Sequence, residues 1–239
     1  MRELFVREEN SQKTFIEVEL DLDAEEYQEL NPWLLSVFIK YNSLEQDEKY
    51  EEFLETKESL IISLGHNERA IYVGGRVVDG WSEFYFYSYD SKNLDKVVKK
   101  VLAPSNYMFE SYIVRDTNWD FYKNELVPNE LELHHMESLK IISLLEEEGD
   151  DLGVQRDVEH YISFLTPTQK DRFLDALDLK DFTLKDEISN DEFEHGVALV
   201  KKHSVTQSVV EDVVEKLFKK IKKEGGFYEG WSTTLVPKV

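Results

Sequence analysis

The sequence predicts an α+β protein built from two tandem domains, each with the element order β-α-β-β-α-β. Three observations predict it. Short apolar runs alternate with period two, longer stripes with helical spacing stand between them, and the same order resumes after a break at Leu126–Glu130, where Pro128 and Asn129 punctuate the chain. A length of 239 residues accommodates two small domains, placed at 1–129 and 130–239. With 41% hydrophobic and 13% aromatic residues, the chain is too rich in core formers for a disordered acidic polypeptide.

In the first domain Ile16, Val18, Leu20 and Leu22 alternate with Glu17, Glu19, Asp21 and Asp23, as in a half-buried strand. A second strand is expected over Leu34–Tyr41. Ser43 with Gln46 three residues later reads as a capping-box start for a helix that uses Tyr50, Phe53, Leu54, Ile61 and Leu64. Ala70–Val78 and Trp81–Tyr89 form a hairpin about Asp79-Gly80, a dipeptide suited to a tight turn. Leu94, Val97, Val98, Val101 and Leu102 share a helical stripe, and Tyr107–Val114 returns as a strand.

The second domain opens with a helix over Leu131–Glu148 and continues with a strand at Arg156–Leu165. Thr166, Pro167 and Gln169 supply the cap, first-turn proline and capping-box partner of a helix ending near Leu179. Strands follow at Phe182–Ile188 and Phe193–Lys202. Ser208 and Glu211 read as the cap of a helix whose stripe is Val210, Val213, Val214, Leu217 and Ile221, with Gly225-Gly226 ending it. Phe227–Val236 closes the sheet. A largely antiparallel sheet with two such helices buries both stripes on one face, so each domain is expected to be ferredoxin-like.

Charge narrows the function classes. Fifty Asp+Glu against 28 Lys+Arg leave a net charge of −22, which repels nucleic-acid backbones and anionic lipid alike. Direct nucleic-acid binding and a membrane role are therefore not expected. The absence of cysteine removes disulfides, thiolate metal sites and thiol nucleophiles. The charged start of the chain does not read as a signal peptide, and no apolar run has spanning length, so a cytoplasmic location is expected.

Two stretches of the second half resemble the bacterial regulator of ribonuclease activity B family. The first is Glu148-Gly149-Asp150-Asp151 followed by Arg156, Val158, Glu159, His160 and Phe164. The second is Gly225-Gly226-Phe227-Tyr228-Glu229-Gly230-Trp231, similar to that family's Tyr-Asp-Gly-Trp segment, with Glu229 where Asp is usual. The first half resembles a domain family of unknown function often fused ahead of it, through Trp81–Asp90 with its Phe-Tyr-Phe-Tyr core and through Trp119, Tyr122, Leu126 and Pro128. The resemblance implies a small acidic protein that binds an endoribonuclease of the bacterial RNA-degradation machinery and inhibits it without catalysis.

The candidate partner-binding residues are Glu146, Glu147, Glu148, Asp150 and Asp151, which would steer a basic protein surface, together with Tyr228, Gly230 and Trp231 as an aromatic anchor beside a glycine. Arg156, His160 and Gly226 complete the motif. Each has a plainer alternative: a solvated helix end for the carboxylates, core packing for the aromatics, and a hydrogen-bonded core histidine for His160. Tyr85, Tyr87 and Tyr89 could suggest base stacking, but this charge lacks the cations that hold phosphates; burial against the N-terminal strand or the second domain is expected instead.

No nucleophile elbow, phosphate loop or dinucleotide fingerprint occurs, so no catalytic residue, metal or cofactor is assigned. The competing readings are a metal-dependent hydrolase using Asp171, Asp175 and Asp178 or His134-His135, and a scaffold with a Tyr-rich binding sheet. The leading expectation is an interaction protein whose partner is a ribonuclease.

Overall fold

A computed structural model describes residues 2–9, 12–22, 24–177, 181–189 and 194–238. The chain divides into two compact units, Met1–Pro128 and Asn129–Val239, and both are α+β with antiparallel sheets.

The first unit contains β1 (Arg2–Glu9), β2 (Gln12–Glu19), the short α1 (Ala24–Gln28), β3 (Trp33–Ile39), α2 (Tyr50–Gly65), β4 (Ala70–Val78), β5 (Trp81–Ser88), α3 (Leu94–Leu102) and β6 (Phe109–Arg115). Its sheet runs β1-β2-β4-β5-β3-β6. The β1–β2 hairpin is an addition that the sequence reading lacked at β1, and β2 ends at Glu19, short of Leu22. Helix α2 begins at Tyr50 with Lys49 as a cap that makes no side-chain bond, so the capping box at Ser43 and Gln46 does not form. The Ser43 hydroxyl instead accepts from the Ser82 hydroxyl at 3.1 Å, and Gln46 adopts φ +46°. One sheet face is covered by α2 and α3, whose Phe53, Leu60, Leu64, Leu94, Val98 and Leu102 pack on Leu35, Val37, Phe84 and Phe86.

The opposite face is covered from within the same unit, and this corrects the expectation for the tyrosines. Residues 116–127, including a π-helical turn at Tyr122–Leu126, fold back over β5. Tyr87 stacks on Trp119 with centroids 4.1 Å apart, and Tyr85 packs on Phe121 at 4.4 Å. Tyr87 donates to Asp116 at 2.6 Å. Tyr85 and Tyr87 are buried, while Tyr89 is exposed. A base-stacking platform is thus filled by the protein's own rings.

The second unit contains α4 (Glu130–Glu147), β7 (Arg156–Phe164), α5 (Pro167–Ala176), β8 (Thr183–Ile188), β9 (His195–His203), α6 (Gln207–Lys223) and β10 (Phe227–Thr233). The sheet order is β10-β7-β9-β8, all antiparallel. Thr166 and Gln169 form the expected capping box. The end proposed for α5 at Leu179 and the start proposed for β9 at Phe193 lie outside the described residues. Helix α6 starts two residues earlier than read, with Thr206 rather than Ser208 at the cap; Glu211 accepts from Gln207 at 2.9 Å instead of closing a capping box. Its C-terminus bonds as expected, Gly225 N–H to Lys222 O and Gly226 N–H to Ile221 O, the two bonds of a Schellman cap. Val210, Val213, Val214, Leu217 and Ile221 pack on Val158, Ile162, Val197 and Leu199. Helix α4 lies beside α6, tied by Lys222–Glu130 at 2.5 Å.

Candidate functional site

The acidic end of α4 is set up by the cap at its other end. Asn129 accepts from the Glu132 amide at 3.0 Å while its own amide donates to the Glu132 carboxylate at 2.8 Å. From that start, Met136, Ser138 and Ile142 turn inward and the helix runs out at Glu147. Gly149 N–H then bonds Glu146 O and Asp150 N–H bonds Leu145 O, so the chain leaves the helix in a fixed direction. Glu146, Glu147 and Glu148 are exposed, beside the exposed Leu144. Carboxylates at a helix C-terminus add to its partial negative charge, giving a compact anionic point.

Asp150 departs from that surface. It is fully enclosed, and its Oδ2 accepts from Arg156 at 2.5 Å and from the Val236 amide at 2.7 Å. Hydrogen bonding to Arg156 holds its carboxyl below the usual carboxylate range against the opposing effect of burial. Arg156, itself buried, also donates to the carbonyls of Thr234 and Asp151. The segment after β10 is pinned further by Asp151 N–H to Val236 O at 2.7 Å and Lys238 N–H to Gly149 O at 3.0 Å. Asp150 and Arg156 therefore form a buried ion pair that fastens the end of α4, the start of β7 and the chain after β10. Asp151 is half-buried.

Tyr228 and Trp231 are interior. Trp231 Nε1 donates to Ser138 Oγ at 3.0 Å, locking β10 to α4. Between them, the register slips from Tyr228–Ile162 to Gly230–Tyr161, so Glu229 is the extra residue of a bulge. Gly230 carries φ +119°, a conformation other residues adopt only with strain. Gly226 is constrained by space instead: a Cβ there would stand 2.4 Å from the Phe164 ring.

His160 and Tyr228 belong to a buried polar chain that includes residues the sequence reading missed. The Ser204 carbonyl can only accept, so His203 Nδ1 donates to it at 2.8 Å. In neutral His203 the Nε2 is then bare and accepts from His160 Nε2–H at 3.3 Å. His160 Nδ1 is left to accept from the Tyr228 hydroxyl at 2.9 Å. Burial, then the neighbouring His203 and Lys201, lowers the His160 pKa to about 3. Burial also lowers His203, and it raises the Tyr228 phenol. Every hydrogen bond of the chain is made with both rings neutral.

The candidate residues thus fall into two groups. Glu146, Glu147, Glu148 and Asp151 offer an anionic surface, whereas Asp150, Arg156, His160, Gly226, Tyr228, Gly230 and Trp231 build the interior. The acidic run and the Gly225-Gly226 turn lie at opposite ends of the β7–β10 pair: Arg156 begins β7, and Phe227 pairs with Ser163 at the other end. About six residues of strand, roughly 20 Å, separate them.

Among the described residues no cluster of three or more His, Asp or Glu could hold a metal, and Asp178 lies outside them. His134 packs its ring against Phe218 and Tyr228. In the first unit, an open cleft of about 420 Å³ beside Leu34, Val114 and Phe121 is rimmed by Asp120 and Glu125. No helix among the described residues is long and apolar enough to cross a membrane.

With this geometry in place, comparison with known proteins separates the two halves. Residues 3–127, more than half of the chain, match the model of a family described as Family of unknown function (DUF695). The chain belongs to that family. Residues 135–233 match the model for Regulator of ribonuclease activity B. The two resemblances read from the sequence are therefore the arrangement found, DUF695 first and the regulator segment second. The regulator match spans α4 to β10 and so takes in the acidic helix end, the Asp150–Arg156 pair and the histidine chain. No curated protein matches. A crystal structure of an unknown protein from Galdieria sulphuraria aligns over 86% of this chain and 98% of its own, at 9% identity and a TM-score of 0.22.

Proposed function

We propose that this chain is a non-catalytic, acidic protein-binding module that restrains an endoribonuclease in the bacterial cytoplasm, with the second unit as the binding part. The observation that carries the reading is the match of residues 135–233 to a family named for regulating ribonuclease activity. Charge supplies the physical route. An enzyme that binds RNA presents cations to phosphates, and an anionic point such as Glu146–Glu148 is drawn to that groove by long-range attraction. Both units are ferredoxin-like domains in this reading, at 1–129 and 130–239. The order β10-β7-β9-β8 supports it, because the first and third strands of the unit are central and each helix crosses over one strand; β6-β3-β5-β4 repeats that order in the first unit.

Immobilised protein incubated with a purified bacterial endoribonuclease tests the reading. Retention at low salt that weakens with rising salt, and that falls when Glu146, Glu147 and Glu148 are all replaced by Gln, is the expected result. Absence of retention at low salt overturns it.

A further inference from the structure

The β1 edge of the first unit is exposed and partly apolar. Strand β1 ends the six-stranded sheet, so one side of its backbone has no neighbouring strand among the described residues. Natural edges are usually guarded by charge, proline or a bulge. Here Leu4 is 71% exposed, Val6 45% and Phe15, which pairs with Val6, 38%. Three apolar side chains therefore stand together on the α2 side of the hairpin, and the charged residues sit toward the two ends of the strand.

We propose that two copies of this chain associate by antiparallel pairing of their β1 strands about a two-fold axis at Phe5. In such a pair the numbers of facing residues have a constant sum, and a continuous sheet keeps the faces of the two copies aligned only when that sum is even. A sum of ten sets Arg2 opposite Glu8 of the second copy, Glu3 opposite Arg7, and Leu4 opposite Val6, with Phe5 on the axis. A sum of eight sets Arg2 opposite Val6 and Glu3 opposite Phe5. A sum of twelve sets Leu4 opposite Glu8 and Phe5 opposite Arg7. Of these three registers, only ten joins opposite charges and joins apolar to apolar from Arg2 to Glu8, and by symmetry the Arg2–Glu8, Glu3–Arg7 and Leu4–Val6 pairs each occur twice.

The contacts of Arg2, Glu8 and Arg7 are compatible with this register. Arg2 lies over the Tyr72 ring, 3.7 Å from Glu19, and keeps 41% side-chain exposure; Glu8, 3.9 Å from Lys13, keeps 57%. Arg7 donates to the carbonyls of Asn124, Glu125 and Val127 and holds β1 in place while Glu3 of the second copy approaches. Leu4 and Val6 of both copies then form one apolar strip flanked by the two Phe15 rings. The occupant is a second copy because the complementarity lies within a single strand.

The chain has no cysteine, so engineered thiols report the register cleanly. Single variants Leu4→Cys and Val6→Cys of the full chain, both at exposed positions, are oxidised separately and as a mixture. The mixture is expected to give a disulfide-linked dimer, while each variant alone gives little, because position 4 faces position 6. Equal cross-linking in all three samples, or none in the mixture, overturns the register. Light scattering on the unmodified protein is expected to give a mass rising toward twice 28.2 kDa with concentration. Arg2→Glu should weaken association about tenfold, because two attractive pairs turn repulsive, and Arg2→Glu with Glu8→Arg should restore it. A monomer mass at all concentrations overturns the proposal itself.

Discussion

Mild acid should loosen the second unit through His160 and His203. In the unfolded chain a histidine takes up a proton near pH 6.5, whereas in the fold His160 does so only at about 3. Between those values the unfolded state binds more protons, so stability is full above about pH 6.5 and is lost as pH falls toward 3. The slope is about 1.4 kcal/mol per pH unit for one group, which gives roughly 2 kcal/mol for His160 alone between pH 7 and pH 5. His203, also lowered, acts in the same direction. Amide hydrogen exchange of β7 and β10, corrected for intrinsic rates, reads the opening free energy of this unit. His160→Leu costs stability at pH 7 by stranding the Tyr228 hydroxyl, but it should flatten the pH 7 to 5 loss by about 2 kcal/mol. An equal pH dependence in the variant and the unmodified protein would falsify the neutral-chain assignment.

Other perturbations have equally definite outcomes. Arg156→Ala leaves Asp150 enclosed without its partner and should cost about 3–5 kcal/mol in urea unfolding, with early exchange of the Val236 amide. Gly226→Ala should cost about 1–3 kcal/mol by forcing a methyl against Phe164, and the expected signature is a shifted Phe164 ring resonance. Gly230→Ala meets no atom within 4 Å, so its cost of about 1–3 kcal/mol comes from backbone strain at φ +119° and should leave neighbouring side-chain signals in place. Replacing Glu146, Glu147 and Glu148 by Gln should not lower the melting temperature, since like charges at a helix C-terminus oppose its dipole. A fall would mean that these carboxylates hold the fold together.

What was legible in the sequence follows from how locally each feature is encoded. The Asp79-Gly80 hairpin, the Thr166–Gln169 cap and the α6 stripe each declare themselves within a few residues, and each forms. Strand β1 stayed hidden because Leu4, Phe5 and Val6 are apolar on both faces: Phe5 enters the core while its neighbours face solvent, so no period of two appears. The caps at Ser43 and Ser208 failed because each serine competed with a partner or a start signal elsewhere, Ser82 at the start of β5 and Thr206 two residues earlier. The same holds for the site. Glu146–Glu148 could be read as an anionic surface from the chain alone. That Asp150 turns inward depends on Arg156 and on the Val236 amide, and that His160 bonds His203 depends on the pairing of β7 with β9. His203 follows Lys201-Lys202, which reads as a strand running out into solvent and conceals a buried ring.

In the proposed function the second unit acts by presenting negative charge to a cationic protein groove. The rate at which a purified bacterial endoribonuclease cleaves a labelled RNA, measured with increasing amounts of this protein at two salt concentrations, tests it most directly. A saturating slowdown is expected, one that weakens at the higher salt and weakens again when Glu146, Glu147 and Glu148 are Gln. Cleavage that proceeds unchanged, or a slowdown indifferent to both salt and the three substitutions, would contradict it.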